Sequence, residues 1–329
     1  MSTDVLNRGK LRVGVLRGGP SPEYEVSLQS GAQVLRHLPE KYVPLDIFIS
    51  QDGDWHVRGV TLLPERALRE ADLVVNALHG AYGEDGKVQT QLEYFGIPYT
   101  GSRALSAALS MNKARSKQIF ENHGIKTPVS AVLPHSANTH RNALELFKTF
   151  PQPSIVKPLF GGSSIGISVA RTFPEFALGI EEAFRHGGHV LIEEYIPGRE
   201  ATASVVESAT DRSLYSLFPV EVVRPPGKHF FDYQSKYVGE TEKICPSKFS
   251  REEKEQIQNW AMKVHRALGL RHYSNADFII HPKRGVYLIE ANALPGLTPK
   301  SLLPKALEVA ELSFPDFLDH LVHLALRRG

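Results

Sequence analysis

The stretch Asn275-Ala276-Asp277-Phe278-Ile279-Ile280, then His281-Pro282-Lys283-Arg284-Gly285, then Leu288-Ile289-Glu290-Ala291-Asn292 and Leu294-Pro295-Gly296-Leu297-Thr298 decides the fold of this chain. Two apolar runs flank a cluster of turn residues, which reads as strand, turn, strand. Acids stand where an oily face is expected. Glu290 and Asn292 are two apart, so on a strand they share a face. Asp277 on the partner strand can share it too. Two carboxylates and an amide oxygen make a hard, oxygen-only set that suits Mg²⁺ holding nucleotide phosphates. Spacing alone leaves a second reading level with this one: an exposed face of scattered polar residues, because charges on strands usually face water.

Toward the N-terminus the pattern changes. Leu11 to Leu16 reads as a first strand, followed by the turn Arg17-Gly18-Gly19-Pro20. A helix then carries Val26, Leu28, Ala32, Leu35 and Leu38, and Val43 to Ile49 and Asp72 to Leu78 are near-continuous apolar strands. This alternation predicts a parallel sheet covered on both faces. The loop from His79 to Gly86 follows the third of these strands, at the carboxyl edge where ligands bind in such sheets.

Asn112 is placed to cap a helix from Lys113 to His123, stopped by Gly124. Thr172 with Glu175, and Ser250 with Glu253, read as capping boxes of two further helices. Between them lies Val156-Lys157-Pro158-Leu159-Phe160-Gly161-Gly162-Ser163-Ser164-Ile165-Gly166. Glycines let a backbone approach a polyphosphate, and the hydroxyls of Ser163 and Ser164 can hold its oxygens. Lys157 adds a point charge for phosphate. A Walker loop would instead place its lysine after the glycines. Without the lysine, the stretch reads as a flexible turn. The strand Val190 to Ile196 carries Glu193, and Glu200 lies just beyond it. Such acids can accept hydrogen bonds from an adenine amino group or ribose hydroxyls, or can simply be solvated. Arg224 to Lys248 has mixed charge and little periodicity, which fits either a functional lid or a surface loop. Its cluster Phe230-Phe231-Asp232-Tyr233, followed by Lys236-Tyr237, favours the lid.

The bulk properties bound the function. At 329 residues the chain exceeds one ordinary core. A net charge of +2 argues against a broad nucleic-acid-binding surface. A lone cysteine, Cys245, excludes an internal disulfide and fits a reducing, cytoplasmic setting. Cys245 has no neighbouring His or helix start to activate it. The segment Met1 to Lys10 is polar, so no secretory signal is expected, and no apolar run reaches the length of a membrane span.

Taken together and in order, these motifs resemble those of the ATP-grasp superfamily, and within it the D-alanine–D-alanine ligases. The residues carrying the resemblance are Gly18-Gly19-Pro20-Ser21-Pro22-Glu23-Tyr24-Glu25-Val26-Ser27, His79-Gly80 with Gly83-Glu84-Asp85-Gly86, Pro98 to Ser102, and Ser110-Met111-Asn112-Lys113. They continue with the Lys157 to Gly166 loop, Phe231-Asp232-Tyr233 with Lys236-Tyr237, and Glu290 to Leu302. The resemblance implies an α/β (α+β) fold of three domains. These are an N-terminal α/β domain with a parallel sheet over 1–112, a central ATP-grasp subdomain over 113–194, and a C-terminal ATP-grasp domain with the lid 224–248 over 195–329.

It also implies roles. Lys113, Lys157, Ser164 and Lys236 would contact ATP phosphates. Glu193, Glu194, Tyr195 and Ile196 would lie along the adenine, and Glu200 would meet the ribose. Asp277, Glu290 and Asn292 would hold two Mg²⁺ ions, with Mn²⁺ as a substitute. Glu25 would bind the ammonium of the first D-alanine, with His79 nearby. Ser163 and Tyr237 would link to Glu25 and fasten the lid. Ser301 and Leu302 would meet the carboxylate of the second D-alanine, and the Gly296 N–H would face the tetrahedral oxyanion. The implied product is D-alanyl-D-alanine for peptidoglycan, made by a cytoplasmic homodimer without nucleic-acid or membrane partners.

The chain departs from the family at Asn275, where relatives place an Arg two residues before the metal-binding Asp. Asn donates a hydrogen bond but brings no charge. Either another cation substitutes, such as Arg224 or Lys228, or the enzyme is slow or altered in specificity, or the chain binds ATP without ligation. The retained substrate residues favour an active ligase. A different acceptor, D-serine or D-lactate, is the alternative chemistry, and Lys236-Tyr237 argues against the lactate type. Glu194 is a smaller departure, standing where relatives often carry Lys.

Overall fold

The computed structural model describes residues 9–136, 139–162, 165–223 and 241–327. The chain begins with β1 (Arg12–Gly18), α1 (Tyr24–His37), β2 (Val43–Ile49), β3 (Trp55–Val57), β4 (Val60–Leu62), α2 (Pro64–Arg69), β5 (Leu73–Asn76), α3 (Lys87–Tyr94) and α4 (Ala104–Met111). It continues with α5 (Lys113–Asn122), β6 (Ser130–Pro134), α6 (Thr139–Thr149), β7 (Ser154–Pro158), β8 (Ser168–Ala170), α7 (Phe173–Phe184) and β9 (His189–Glu194). The last part holds β10 (Arg199–Glu207), β11 (Leu214–Ser216), β12 (Val220–Val223), β13 (Glu242–Ile244), α8 (Arg251–Ala267), β14 (Tyr273–His281), β15 (Gly285–Asn292), α9 (Leu302–Val309) and α10 (Phe314–Leu326).

Three sheets result. The first runs β4-β3-β2-β1-β5. β1 pairs in parallel with β2 and β5, as the β/α alternation predicts. The antiparallel edge pair β3–β4 is an addition, because strands this short leave no periodicity to read. One face of this sheet buries Leu16, Ile47, Trp55 and Leu92. The other buries Val13, Val15 and Val75 together with Leu294, Leu297, Leu303 and the α10 residues Phe317 and Leu321. The loop after the Asp277–Asn292 hairpin is therefore anchored in the N-terminal core.

The second sheet, β6-β9-β7-β8, is antiparallel throughout and rests on α6 and α7. Both expected capping boxes are formed, by Thr172 with Glu175 on α7 and by Ser250 with Glu253 on α8. Asn112 caps α5 through the Arg115 N–H, and Gly124 stops that helix with φ +65. The third sheet runs β13-β12-β10-β14-β15, with β11 beside β10. Its core face packs on α8 through Ile257, Ala261 and Val264. Within the expected lid, residues 224–240 lie outside the described residues, and Glu242 to Ile244 form the edge strand β13. Among the described residues, no helix is long and apolar enough to cross a membrane.

The N-terminal sheet and the third sheet are fastened at Arg271-His272. The Gly101 N–H donates to His272 Nδ1 at 3.0 Å, and the Arg271 N–H donates to Ser102 Oγ at 3.1 Å. His272 has φ +64, a conformation that a bulky residue holds only where partners fix it. Burial, and next the neighbouring Arg271 charge, push its imidazole down to about 3. The folded state thus keeps His272 neutral, whereas the unfolded chain binds its proton below about 6.5. Stability from this group is complete above that value and is lost as pH falls toward the folded pKa. His272→Asn tolerates the left-handed backbone and keeps an acceptor for Gly101. Denaturant unfolding between about pH 6.5 and 5, above the ordinary carboxylate range, should show a shallower pH slope for this variant than for wild type.

Candidate active site

The pocket follows from strand register. Across the third sheet, Thr202 on β10 opposes Asp277 on β14, which opposes Glu290 on β15. One step along, Ser204 opposes Asn275, which opposes Asn292. The ladder then shifts between Asp277 and Phe278, so Phe278 pairs with Leu288 and Ile289 is the extra residue. This bulge separates two sets that share strand parity. Val286 and Leu288 turn into the core, while Glu290 and Asn292 turn into the pocket.

The pocket has a volume of about 230 Å³ and lies between the second and third sheets. Of the residues expected from sequence, Lys157, Glu193, Glu194, Tyr195 and Ile196 line it from the second sheet. Glu200, Asn275, Asp277, Glu290 and Asn292 line it from the third. Gly296, Ser301 and Leu302 close one end. A small recess beside it joins Lys113, Lys157, Gly161, Gly162 and Glu290. Ser163, Ser164, Lys236 and Tyr237, with the substitute cations Arg224 and Lys228, lie outside the described residues.

Several side chains are held rigidly. The Thr202 hydroxyl donates to Asp277 Oδ1. The Ser204 hydroxyl donates to Asn275 Oδ1 at 2.7 Å, and Asn292 Oδ1 accepts from the Leu294 N–H at 2.8 Å. Ser301 stands at the N-cap of α9 but does not cap it, and its Oγ accepts from the Thr298 N–H at 3.1 Å. The Leu302 and Leu303 N–H groups in the first turn of α9 are therefore not capped by the Ser301 side chain, and Pro304 has no N–H. Two carboxylates with an amide oxygen match a hard divalent cation in donor chemistry. Among the described residues, no group of three or more His, Cys, Asp or Glu side chains gathers as a ligand set. A cation here would thus draw on Asn292 and on phosphate oxygens.

Glu193 departs from its expected use. Its carboxylate is enclosed by two ammonium groups, Lys157 Nζ at 2.7 Å and Lys117 Nζ at 2.8 Å. All three side chains are at most 4% exposed, so the group is a buried triad. Burial alone would raise the Glu193 carboxyl. Attraction from Lys157 and then Lys117 outweighs it and holds the group well below the usual range. Burial lowers Lys117 against the pull of Glu193. Lys117 also donates to Thr127 Oγ1 and the Pro128 carbonyl, both at 3.1 Å, which with Glu193 uses all three of its protons. The carboxylate is thus committed to lysines, while Glu193, Glu194, Tyr195 and Ile196 line the pocket. Lys117 went unseen in the sequence. Its signal was the four-residue step from Lys113 on α5, which places both lysines on one helix face.

The two acids of the Glu23-Tyr24-Glu25 motif are placed differently. Glu25 was expected, but it lies exposed in the first turn of α1, away from the pocket. Glu23 is 7% exposed, and its side chain does not cap the helix. A Cβ added at Gly80 would lie 2.7 Å from Glu23 Oε2, and one at Gly162 would lie 3.3 Å from it. The Glu23 carboxylate therefore sits between the His79-Gly80 loop and the Gly161-Gly162 loop. His79 is buried and joins Ser30 Oγ at 2.8 Å, and Ser30 Oγ accepts from the Leu297 N–H at 3.3 Å. Glu194 accepts from Arg284 at 3.0 Å and from the Val129 N–H at 3.2 Å. Lys113 donates to the Gly161 carbonyl. Burial pushes the Cys245 thiol up, the opposite of an activated nucleophile.

Two sheets close on a pocket floored by acids and amides, with Lys157 on the facing sheet, an arrangement consistent with the ATP-grasp fold. A profile described as D-ala D-ala ligase C-terminus matches residues 119–323, and one described as D-ala D-ala ligase N-terminus matches 12–65 and 60–102. The chain belongs to the D-alanine–D-alanine ligase family. It is 39% identical over 324 residues to the D-alanine–D-alanine ligase of Halalkalibacterium halodurans, covering 97% of this chain and 100% of that one. Its fold resembles the VanG D-Ala:D-Ser ligase of Enterococcus faecalis, with a TM-score of 0.84, 30% identity, and 97% and 100% of the two chains covered. It also resembles the D-alanine–D-alanine ligase of Coxiella burnetii, with a TM-score of 0.82, 25% identity, and 97% and 94% covered.

Removing the central carboxylate tests the triad. Glu193→Gln strands two buried ammonium groups and is expected to lower the unfolding free energy by about 3–5 kcal/mol. Lys117→Met leaves Glu193 with Lys157 and should lower it by less. Denaturant melts of the two variants beside wild type check the order.

Proposed function

We propose that the protein joins two D-alanine molecules into D-alanyl-D-alanine, coupled to cleavage of ATP to ADP and phosphate. The carrying observation is the row Thr202, Asp277, Glu290, which faces Lys157 across one pocket whose end is closed by Gly296 and Ser301. A carboxylate on a first D-alanine attacks the γ-phosphorus of ATP, which gives an acyl phosphate and ADP. The amine of a second D-alanine then attacks the acyl carbon, phosphate leaves, and the amide nitrogen loses a proton.

Each step asks something specific of this chain. Lys157 and Lys113 offset charge on the phosphates, since phosphoryl transfer depends mainly on positioning and electrostatics. Asp277, Glu290 and Asn292 would hold divalent metal, proposed as two Mg²⁺ ions. When bound, the metal would supply positive charge that offsets the negative charge on the transferring group. In this reading Glu23, rather than Glu25, binds the ammonium of the first D-alanine, because it is the buried acid beside the phosphate loop. The Gly296 N–H supports the tetrahedral oxyanion, and Ser301 with the start of α9 takes the acceptor carboxylate. Glu200 stays assigned to the ribose. The roles of Ser163, Ser164, Lys236 and Tyr237 rest on the resemblance alone, as does assembly as a homodimer. A cytoplasmic location goes with the reading and with the sole cysteine.

D-serine as the acceptor is the second reading, favoured by the fold likeness to a D-Ala:D-Ser ligase. Phosphate release with ATP, Mg²⁺ and D-alanine, with the product weighed by mass spectrometry, separates the readings. The expected outcome is D-alanine-dependent release and a dipeptide of two alanines. Release that needs D-serine, or none with either amino acid, overturns the proposal. Asn275→Arg in the same assay reads whether the neutral amide limits the rate: a rise in kcat shows that it does.

Gly296 offers a further check. A Cβ there would lie 2.8 Å from Ser301 Oγ, so Gly296→Ala must displace that hydroxyl and its loop. Disturbing one such donor elsewhere reduces rates by about 10²–10³. A kcat/KM loss of that order is expected, with the ATP affinity nearly unchanged in nucleotide titrations.

A further inference from the structure

The acceptor end of the pocket holds a cation that neither the motifs nor the proposed mechanism uses. Lys243 lies on β13 opposite Val222, which lies opposite Glu200, which lies opposite Ile279. This row crosses the sheet from its edge to the pocket floor. Lys243 leaves the row and donates from Nζ to the Lys300 carbonyl, one residue before Ser301. Its ammonium is thereby fixed to the loop that carries the Gly296 N–H, Ser301 and the start of α9. All of these residues line the same pocket.

Charge makes this placement consequential. From the third sheet, Glu200, Asp277 and Glu290 present acids to the pocket, and Asn275 and Asn292 present neutral amides. Lys157 stands on the facing sheet, 2.7 Å from Glu193. Among the described side chains of this pocket, Lys243 and Lys300 are the cations on the Ser301 side. In the ligase reading divalent metal would offset Asp277 and Glu290, so a cation beside Ser301 can act on the acceptor carboxylate itself. An ammonium adds a Coulomb attraction to a carboxylate that a neutral donor such as Asn275 cannot supply.

We propose that Lys243 is a specificity-determining residue for the acceptor: its ammonium, anchored at the Lys300 carbonyl, pairs with the carboxylate of the amino acid bound at Ser301. The inference rests on the ligase reading. It extends that reading to a residue on an edge strand, and it sets the acceptor class as a free α-amino acid with an unblocked carboxylate. D-alaninamide, which keeps the amine and lacks the charge, is the discriminating probe.

The test compares wild type, Lys243→Gln and Lys243→Arg in the dipeptide assay, with D-alanine and D-alaninamide as acceptors. Lys243→Gln is expected to raise the acceptor KM about tenfold, with KM for ATP and for the first D-alanine within about twofold of wild type; a unit charge contact of about 1.4 kcal/mol corresponds to that factor. The preference for D-alanine over D-alaninamide should shrink by a similar factor, and Lys243→Arg should restore both. An unchanged acceptor KM and preference in Lys243→Gln overturn the proposal. A parallel rise in all three KM values with a lowered unfolding midpoint also overturns it, since that marks a structural role. A wild type without D-alanine-dependent product overturns the ligase reading itself, and this proposal with it.

Discussion

Register across β10, β14 and β15 is the constraint on which the rest depends. Side chains on a strand alternate faces, so a slip of one residue would send Asp277 into the core and Phe278 into the pocket. Phe278 and Leu288 are buried to within 1% of full, against α8, and that packing holds the register. The acids are thus aligned by oil on the opposite face. The bulge at Asp277/Phe278 is a second requirement of the same arrangement. With a regular ladder, Val286 and Leu288 would face the pocket with Glu290 and Asn292, or all four would face the core. One extra residue lets a single strand serve the core in one half and the pocket in the other.

Much of this was legible in the sequence because the signals were local. The hairpin, the two capping boxes, the Asn112 cap and the glycine stop at Gly124 each depend on residues within a few positions. That Asp277 can share a face with Glu290 and Asn292 followed from a two-residue period and a turn, and the register makes Asp277 the partner of Glu290. What stayed hidden depends on distant partners. A bulge has no sequence mark when the extra residue, Ile289, is as apolar as its neighbours. β13 sits in an aperiodic segment and exists because β12 offers it an edge. Glu23 and Glu25 stand in one motif with the same side chain. Only the start of α1 tells them apart, because it leaves Glu25 on the solvent face and turns Glu23 toward Gly80 and Gly162.

The site is built by joining parts that fold on different cores. The acids come from the third sheet, the lysines from α5 and the second sheet, and Ser301 from a loop whose leucines lie in the N-terminal core. Leu294, Leu297 and Leu303 bury themselves beneath β1 and β5, which fixes Gly296 and Ser301 against the pocket. The Leu297 N–H to Ser30 to His79 chain adds polar bonds to that apolar anchor. The second-substrate end is therefore set by N-terminal packing, although its residues come late in the chain.

The buried triad explains how two lysines are held out of solvent. A buried ammonium tends to lose its proton, because burial disfavours the charged form. Glu193 pulls against this for Lys117, where burial still prevails, and its own ionisation is secured by Lys157 and Lys117. Lys117 spends every proton on protein partners and is a brace. Lys157 lines both the main pocket and the recess beside Gly161 and Gly162. Two amines against one carboxylate put more basic than acidic groups beside the pocket. In the ligase reading, this is a preorganised setting that a polyphosphate would meet. An apolar triad of equal volume would give a fold at least as stable. The charged one is explained by what enters the pocket.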